Sequence, residues 1–190
     1  MRIILILFLS FLTAAPALAT DDLPYRDIAG QIAGKLLEGW ISDPVVIYSI
    51  EEQNTLNADL ADAQVAALQS RWIAEDGRGE MSFDLLDRLI SIIAREEAEK
   101  SGGMIDRIAI MDMHGITVGM TRAAPDYYQG DKPHFVGSYL MGPDGQHISE
   151  PYTATPDGDV LVDITRSVVA EDGVTPIGAV TLTLNVGILF

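Results

Sequence analysis

At Gly102-Gly103 the spacing of apolar residues changes from a helical to a strand-like repeat, and this change sets the fold class. Ahead of it, Leu23 to Trp40 places Ile28, Ile32, Leu36 and Trp40 four apart, the stripe of an amphipathic helix. In "SDPVV", Ser42 or Asp43 is available as N-cap and Pro44 takes the first helical position, predicting a second helix to about Asn54. A third segment, about Ala58 to Ala74, carries Leu60, Val65, Leu68 and Trp72 on one side. After the loop "EDGRGE", Ser82 caps a fourth segment, in which Leu85, Leu86, Leu89, Ile90, Ile92 and Ile93 form a wide apolar face. It turns polar at "EEAEKSGG" and stops at the two glycines, which accept a left-handed C-cap without steric cost.

Beyond Ile105 the period is two. "IDRIAIMDM" and "ITVGMT" flank His114-Gly115, a hairpin turn. "QHISEPYTA" reads as a short strand. "DVLVDITRSVVA" and "PIGAVTLTLNV" are longer ones joined by "EDGVT". Val160, Val162 and Ile164 alternate with Leu161, Asp163 and Thr165, while Val180, Leu182 and Leu184 lie opposite Ala179, Thr181 and Thr183. Strands apolar near the middle on both faces belong inside a sheet covered by helices. Helices followed by about five antiparallel strands make an α+β domain.

The N-terminus has a layout of its own. Arg2, the apolar run Ile3 to Leu12 and the exit Ala17-Leu18-Ala19 match a secretory signal peptide over residues 1–19, cut before Thr20. The run is shorter than the roughly 20 residues of a comfortable membrane span, although an uncut anchor is the rival reading. The expectation is an exported, periplasmic protein whose residues 20–190 form one domain. The chain contains no cysteine, so it has no disulfide framework, no thiolate metal site and no N-terminal lipid anchor. Twelve basic against 28 acidic side chains give a net charge of −16, which disfavours nucleic acid and anionic membrane surfaces as partners.

The order of several short segments carries a family resemblance. "DPVVIYSIEEQN", "LQSRW", "IAIMDMHGITVGMT", "DYYQGDKPHF", "ISEPY" and "GAVTLTLNV" span about Asp43 to Val186. In that order the chain resembles single-Cache (PDC-type) extracytoplasmic sensor domains, whose fold is PAS-like. It differs from the pattern "DYWQGDE" in having Tyr128 in place of Trp and Lys132 in place of an acid. The resemblance implies N-terminal helices packed on a five-stranded antiparallel sheet. It also implies a flap after the second strand that closes over a ligand pocket.

Candidate site residues follow from that implication. Tyr127, Tyr128 and Asp131 in the flap would line a small-molecule site, tyrosines offering an apolar wall with a hydroxyl tip. Alternatively, Asp126 and Asp131 cap local turns while the tyrosines close the core. Arg122, just before the flap, and Arg166, in "DITRSVV", are candidates to clamp a carboxylate; Arg166 has the alternative of pairing with Asp163 or Glu150 at a sheet edge. Tyr139 and Asp112 are weaker candidates, and Trp40 and Trp72 read as core.

No cofactor or metal is expected. His114, His134 and His147 lack the spacing of a zinc motif, and "PDGQH" and "PDGDV" lack the run of a calcium loop. Motifs of hydrolases, phosphate loops and dinucleotide sites are absent, so the chain reads as a non-enzyme.

The functional expectation is a ligand-binding sensor module without its own output domain, because "NVGILF" follows the last strand directly. The ligand would be a carboxylate, an amine or an amino acid. Signalling would pass by docking to a membrane sensor kinase or chemoreceptor. The helical stripe Ile28 to Trp40 and the tail Gly187 to Phe190 are the contact surfaces, the helix also serving a homodimer. The alternative is an adaptor with the same fold and no functional pocket; an uncharacterised hydrolase ranks third.

Overall fold

A computed structural model describes residues 25–153 and 158–189. The expected signal peptide lies outside the described residues. Among the described residues five helices precede the sheet: α1 (Tyr25–Leu37), α2 (Pro44–Leu56), α3 (Asp62–Glu75), α4 (Glu80–Asp87) and α5 (Leu89–Lys100). Strands β1 (Ile105–Asp112) and β2 (Thr117–Met120) form the hairpin, and the flap after β2 carries a short helix α6 (Pro133–Val136). β3 (Gln146–Ile148), β4 (Tyr152–Thr153), β5 (Val160–Val169) and β6 (Pro176–Asn185) complete an antiparallel sheet of order β2-β1-β6-β5-β3, with β4 also on β5. The architecture is α+β, as expected. Its edge strand is split into β3 and β4, and at the break the Ser149 hydroxyl accepts from Asp163 N at 2.9 Å.

The first face of the sheet is hydrocarbon. Ile108 and Ile110 of β1, Val180, Leu182 and Leu184 of β6, and Val162, Ile164 and Val168 of β5 are buried against α1, α2 and α5. Helix α1 presents Tyr25, Ala29, Ala33 and Leu37, one position along from the expected stripe. Two alanines allow the helix to lie close on β5, and this displaces the larger stripe. Ile32 and Leu36 are half-buried, Trp40 is buried and Ile28 is 38% exposed. The cap of α2 is the expected one, Asp43 accepting from Val45 N at 2.8 Å with Pro44 following.

The expected fourth helix is two. Gly79, rather than Ser82, is the N-cap of α4, and Ser82 is buried inside it. Arg88 then adopts an extended backbone (ψ 146°) that ends α4 and starts α5. The break is held by polar contacts that periodicity does not reveal. The Ser91 hydroxyl donates to Leu85 O at 2.6 Å and accepts from Met120 N at 2.9 Å, fastening the junction to β2. The Arg88 guanidinium donates to Gln53 Oε1, Val118 O and Asp84 Oδ2. The kink turns Ile90 and Ala94 onto the sheet and leaves Leu89 and Ile92 outward.

The β1–β2 turn is built around Asp112. Its Oδ1 accepts from His114 N and Ile116 N, both at 2.9 Å, while Asn57 Nδ2 donates to Oδ2 at 2.6 Å. Gly115 (φ +77°) supplies the left-handed residue, and a Cβ there would strike the flap backbone at Gly130.

Candidate functional site

The second face of the sheet is graded from apolar to charged in three rows. Strand register aligns Met111, Ala179 and Ser167 in the first row and Ala109, Thr181 and Thr165 in the second. Arg107, Thr183 and Asp163 form the third. The flap starts at the β2 edge, where Tyr128 bridges Ile116 and Thr117 N donates to Tyr127 O at 3.1 Å. It ends with α6 packed on β3 and β5. Phe135 of α6 stacks on Tyr139 at 5.0 Å between ring centroids, and the two rings cover Met111 and Ala179. Hydrocarbon therefore seals the Met111 and Ala179 part of the first row, while the buried Ser167 hydroxyl has no partner among the described residues.

The other rows are polar. Thr165 and Thr181 share a buried hydroxyl–hydroxyl bond of 2.8 Å. In the third row the Thr183 hydroxyl donates to Asp163 Oδ1 at 2.6 Å and accepts from Arg107 Nη2 at 3.3 Å. The Tyr152 hydroxyl reaches both Asp163 oxygens, at 3.0 and 3.1 Å. Burial, and then the neighbouring Asp163 carboxylate, push the Tyr152 phenol up to about 12, so it stays a donor. His134 belongs to α6, which packs on β5, the strand of Asp163. Burial holds its imidazole below the ordinary range, with His147, Lys132 and Arg107 acting in the same direction and Asp163 opposing.

Beside the Arg107 end of this face opens a cavity of about 540 Å³ whose lining includes Trp72, Arg107, Arg122 and Pro125, within the usual size range of ligand pockets. Trp72 is fixed there, its indole N–H donating to Ala124 O at 2.9 Å and its ring stacked on Tyr127 at 5.6 Å. Arg107 and Arg122 line the cavity together with Asp76; Arg122 is ion-paired with Asp106, which leaves the Arg107 guanidinium to meet an anionic group.

The structure separates the residues singled out in the sequence. Tyr127 is buried in the stack on Trp72, inside a small core with Leu85, Ile116 and Met120. Tyr128 lines a different cavity, with α3 and His114. Asp131 is exposed, 3.7 Å from Lys132 Nζ. Arg122 is at the Arg107 cavity but ion-pairs with Asp106. Arg166 stands on the first face of the sheet, at a surface cavity lined by Lys35, Glu38 and Ser42, away from the flap. Neither partner considered for it is used: Asp163 bonds Tyr152 and Thr183, and Glu150 bonds Tyr25 and Arg26.

Tyr139 helps seal the first row. Asp112 is fully buried in its turn, and burial raises its carboxyl against the pull of its three hydrogen bonds and of His114. Trp40 and Trp72 are buried as expected. Among the described residues no group of three or more His, Asp and Glu side chains gathers as a metal site would require.

Arg107, Asp163, Thr183, Tyr152 and His134 escaped the sequence reading. The alternation had already put Asp163 and Thr165 on one side of β5, and Thr181 and Thr183 on one side of β6. The missing step was the register that brings Arg107 into line with them.

No family model matches the chain, and no curated protein does either. Among solved structures it is similar to the extracellular domain assigned to a histidine kinase, vpHK1S-Z8 (TM-score 0.42, 12% identity, covering 87% of this chain and 53% of that one). It is likewise similar to the ligand-binding domain of the Pseudomonas aeruginosa amino-acid chemoreceptor PctC in complex with GABA (0.41, 14%, 86% and 62%). The Escherichia coli DcuS sensor domain is a third (0.39, 14%, 66% and 91%). The present chain thus spans 53% and 62% of the length of the first two. The three are an extracellular, a ligand-binding and a sensor domain, respectively. Among the described residues no helix is long and apolar enough to cross a membrane.

Proposed function

We propose that this chain is a periplasmic sensor module that binds a small polar molecule against the second face of its sheet. The observation that carries this reading is the continuous chain Arg107–Thr183–Asp163–Tyr152, laid across the four strands β1, β6, β5 and β4, with Arg107 at a cavity of about 540 Å³. Arg107 makes one hydrogen bond among the described residues, and a guanidinium carries five donors. Asp163 accepts two bonds at Oδ1 and one at Oδ2, where a carboxylate offers about four acceptor positions. A ligand with a carboxylate toward Arg107 and an amine or hydroxyl toward Asp163 uses both ends, which selects an amino acid or hydroxy acid.

Export would follow from cleavage after Ala19, and N-terminal sequencing of the periplasmic form should then begin at Thr20. Signalling would pass through a membrane kinase or chemoreceptor that prefers one of two ligand-dependent conformations. Of the contact surfaces nominated from sequence, α1 keeps Ile28 exposed while its other large residues pack inward, and the tail exposes Ile188.

Isothermal titration with the twenty amino acids and short hydroxy acids tests the reading. A binder should lose at least about tenfold in affinity on Arg107→Ala and again on Asp163→Asn, the scale of a charge-assisted hydrogen bond. Binding that survives both substitutions would sink the proposal. The adaptor alternative draws on one observation, the filling of the first row by Phe135 and Tyr139; it would be favoured if the whole panel failed to bind.

A further inference from the structure

We propose that the cavity between α1, the α1–α2 turn and β5 is a second binding site, for inorganic phosphate. It measures about 500 Å³, lies on the helix-covered face of the sheet and shares no lining residue with the Arg107 cavity. Gln31, Gly34 and Lys35 of α1 and Glu38 just after it form one wall. Their spacing of three, four and seven residues puts them on one helix face. Ser42 and the β5 residue Arg166 complete the polar lining.

The cations call for an anion. Arg166 is half-buried, and among the described residues its guanidinium makes neither a hydrogen bond nor an ion pair; Lys35 makes none either. Most basic side chains of this acidic chain do find a carboxylate, as Arg26, Arg71, Arg88, Lys100, Arg122 and Lys132 show. A charge withdrawn from water without a partner is costly, and the planar fork of a guanidinium fits an oxyanion. Because Arg166 lines the cavity and keeps part of its surface exposed, a solute can reach it. Two cations against one carboxylate leave this lining positive on a chain that carries −16.

Glu38 selects among oxyanions. A carboxylate placed among donors repels a fully ionised guest, but accepts a hydrogen bond from a guest that keeps a proton. Inorganic phosphate retains a P–OH at neutral pH, which it donates to Glu38 while its other oxygens accept from Arg166, Lys35, Gln31 and Ser42. Sulfate has the same shape and no proton. A phosphate monoester, with a second pKa of about 6, has also lost its proton at pH 7.5.

The cavity is formed before any guest arrives. Glycine inside a helix weakens it relative to alanine, yet a Cβ on Gly34 would meet no atom within 4 Å. Packing therefore does not demand the glycine, and the bare position leaves the cavity open. The turn carrying Glu38 and Ser42 is fixed by Glu38 N donating to Gly34 O and Ile41 N to Leu37 O, both at 2.9 Å.

Isothermal titration of the full chain with inorganic phosphate at pH 7.5 and low salt tests the proposal. Saturable binding is expected, weakened at least about tenfold by Arg166→Met, which strands no partner. Lys35→Met should also weaken it, and serves alone should the first variant fold poorly. Sulfate and glycerol 3-phosphate should bind at least about tenfold more weakly than phosphate, and Glu38→Gln should narrow that gap. Arg107→Ala should leave phosphate affinity unchanged, which separates this site from the sensor site. The proposal is overturned if phosphate does not bind at millimolar concentration, or if sulfate binds equally well. Unchanged affinity in the folded Arg166→Met or Lys35→Met variant overturns it as well.

Discussion

The two faces of the one sheet solve opposite problems with the same strands. On the first, Ile110, Val180 and Ile164 and their neighbours interlock with helix side chains in a hydrocarbon core, where the buried Trp40 Nε1 has no partner among the described residues. On the second, the same strands carry Arg107, Thr181, Thr183, Thr165 and Asp163, each paired with another residue of that face. Hydrocarbon burial is non-directional and tolerates imperfect partners, so it supplies stability. A polar row needs each donor matched to an acceptor, and an unmatched group costs more than a matched pair contributes. The second face is thus where the fold gives up stability for directional polar contacts.

That contrast can be broken experimentally, and the largest effect belongs to the first face. Ile110→Ala leaves a cavity in a fully buried position and should cost about 3 kcal/mol in denaturant unfolding. A loss below 1 kcal/mol would mean that α2 and α5 do not pack on β1 as described. Next is Thr181→Val, which strands the Thr165 hydroxyl in a buried site and should cost about 1–2 kcal/mol. The double change Thr165→Val with Thr181→Val removes both partners and should recover most of that loss. If the double variant is worse than the single one, the hydroxyl pair is not what holds the row together.

The pH dependence is smaller and sits at the flap. Because burial lowers the His134 pKa below the usual 6.5, the folded state favours the neutral ring. Its contribution to stability is complete above about pH 6.5 and is lost as the pH falls through the lower folded value. Urea midpoints should drop between pH 7 and pH 5, and less so in His134→Gln. Asp112, whose pKa is raised, acts with the opposite sign nearer its ordinary 3.8, so the comparison belongs in the upper part of that interval. Smallest of all is Arg107→Met, whose side chain is half-buried with a single hydrogen bond. Its unfolding free energy should change by less than about 0.5 kcal/mol, which would leave any loss of ligand binding attributable to the site.

Much of the architecture was legible in residue spacing. The Asp43-Pro44 start of α2, the glycine stop at 102–103 and the alternation of β5 and β6 are each dictated by neighbours in sequence. The α4–α5 break was not legible, because Ser91 and Arg88 hold it through partners on β2 and α2. For the same reason the sequence did not show how the residues of the flap divide among environments. Tyr127, Tyr128 and Asp131 are close neighbours in the chain, yet they go to a core stack, a side cavity and open solvent.

The order of amino acids by itself determined that helices come first, that an antiparallel sheet follows, and which residues of each long strand share a side. These properties depend on contacts between residues a few positions apart, and the periods of helix and strand write them directly into the chain. Only the tertiary structure decided that Arg107, Asp163 and Thr183 share one row, that Tyr152 bonds to it, and that α6 packs on β5 and β3. Register between strands remote in sequence is set by the packing of the whole sheet, and a shift of one residue would send every one of those side chains to the opposite face.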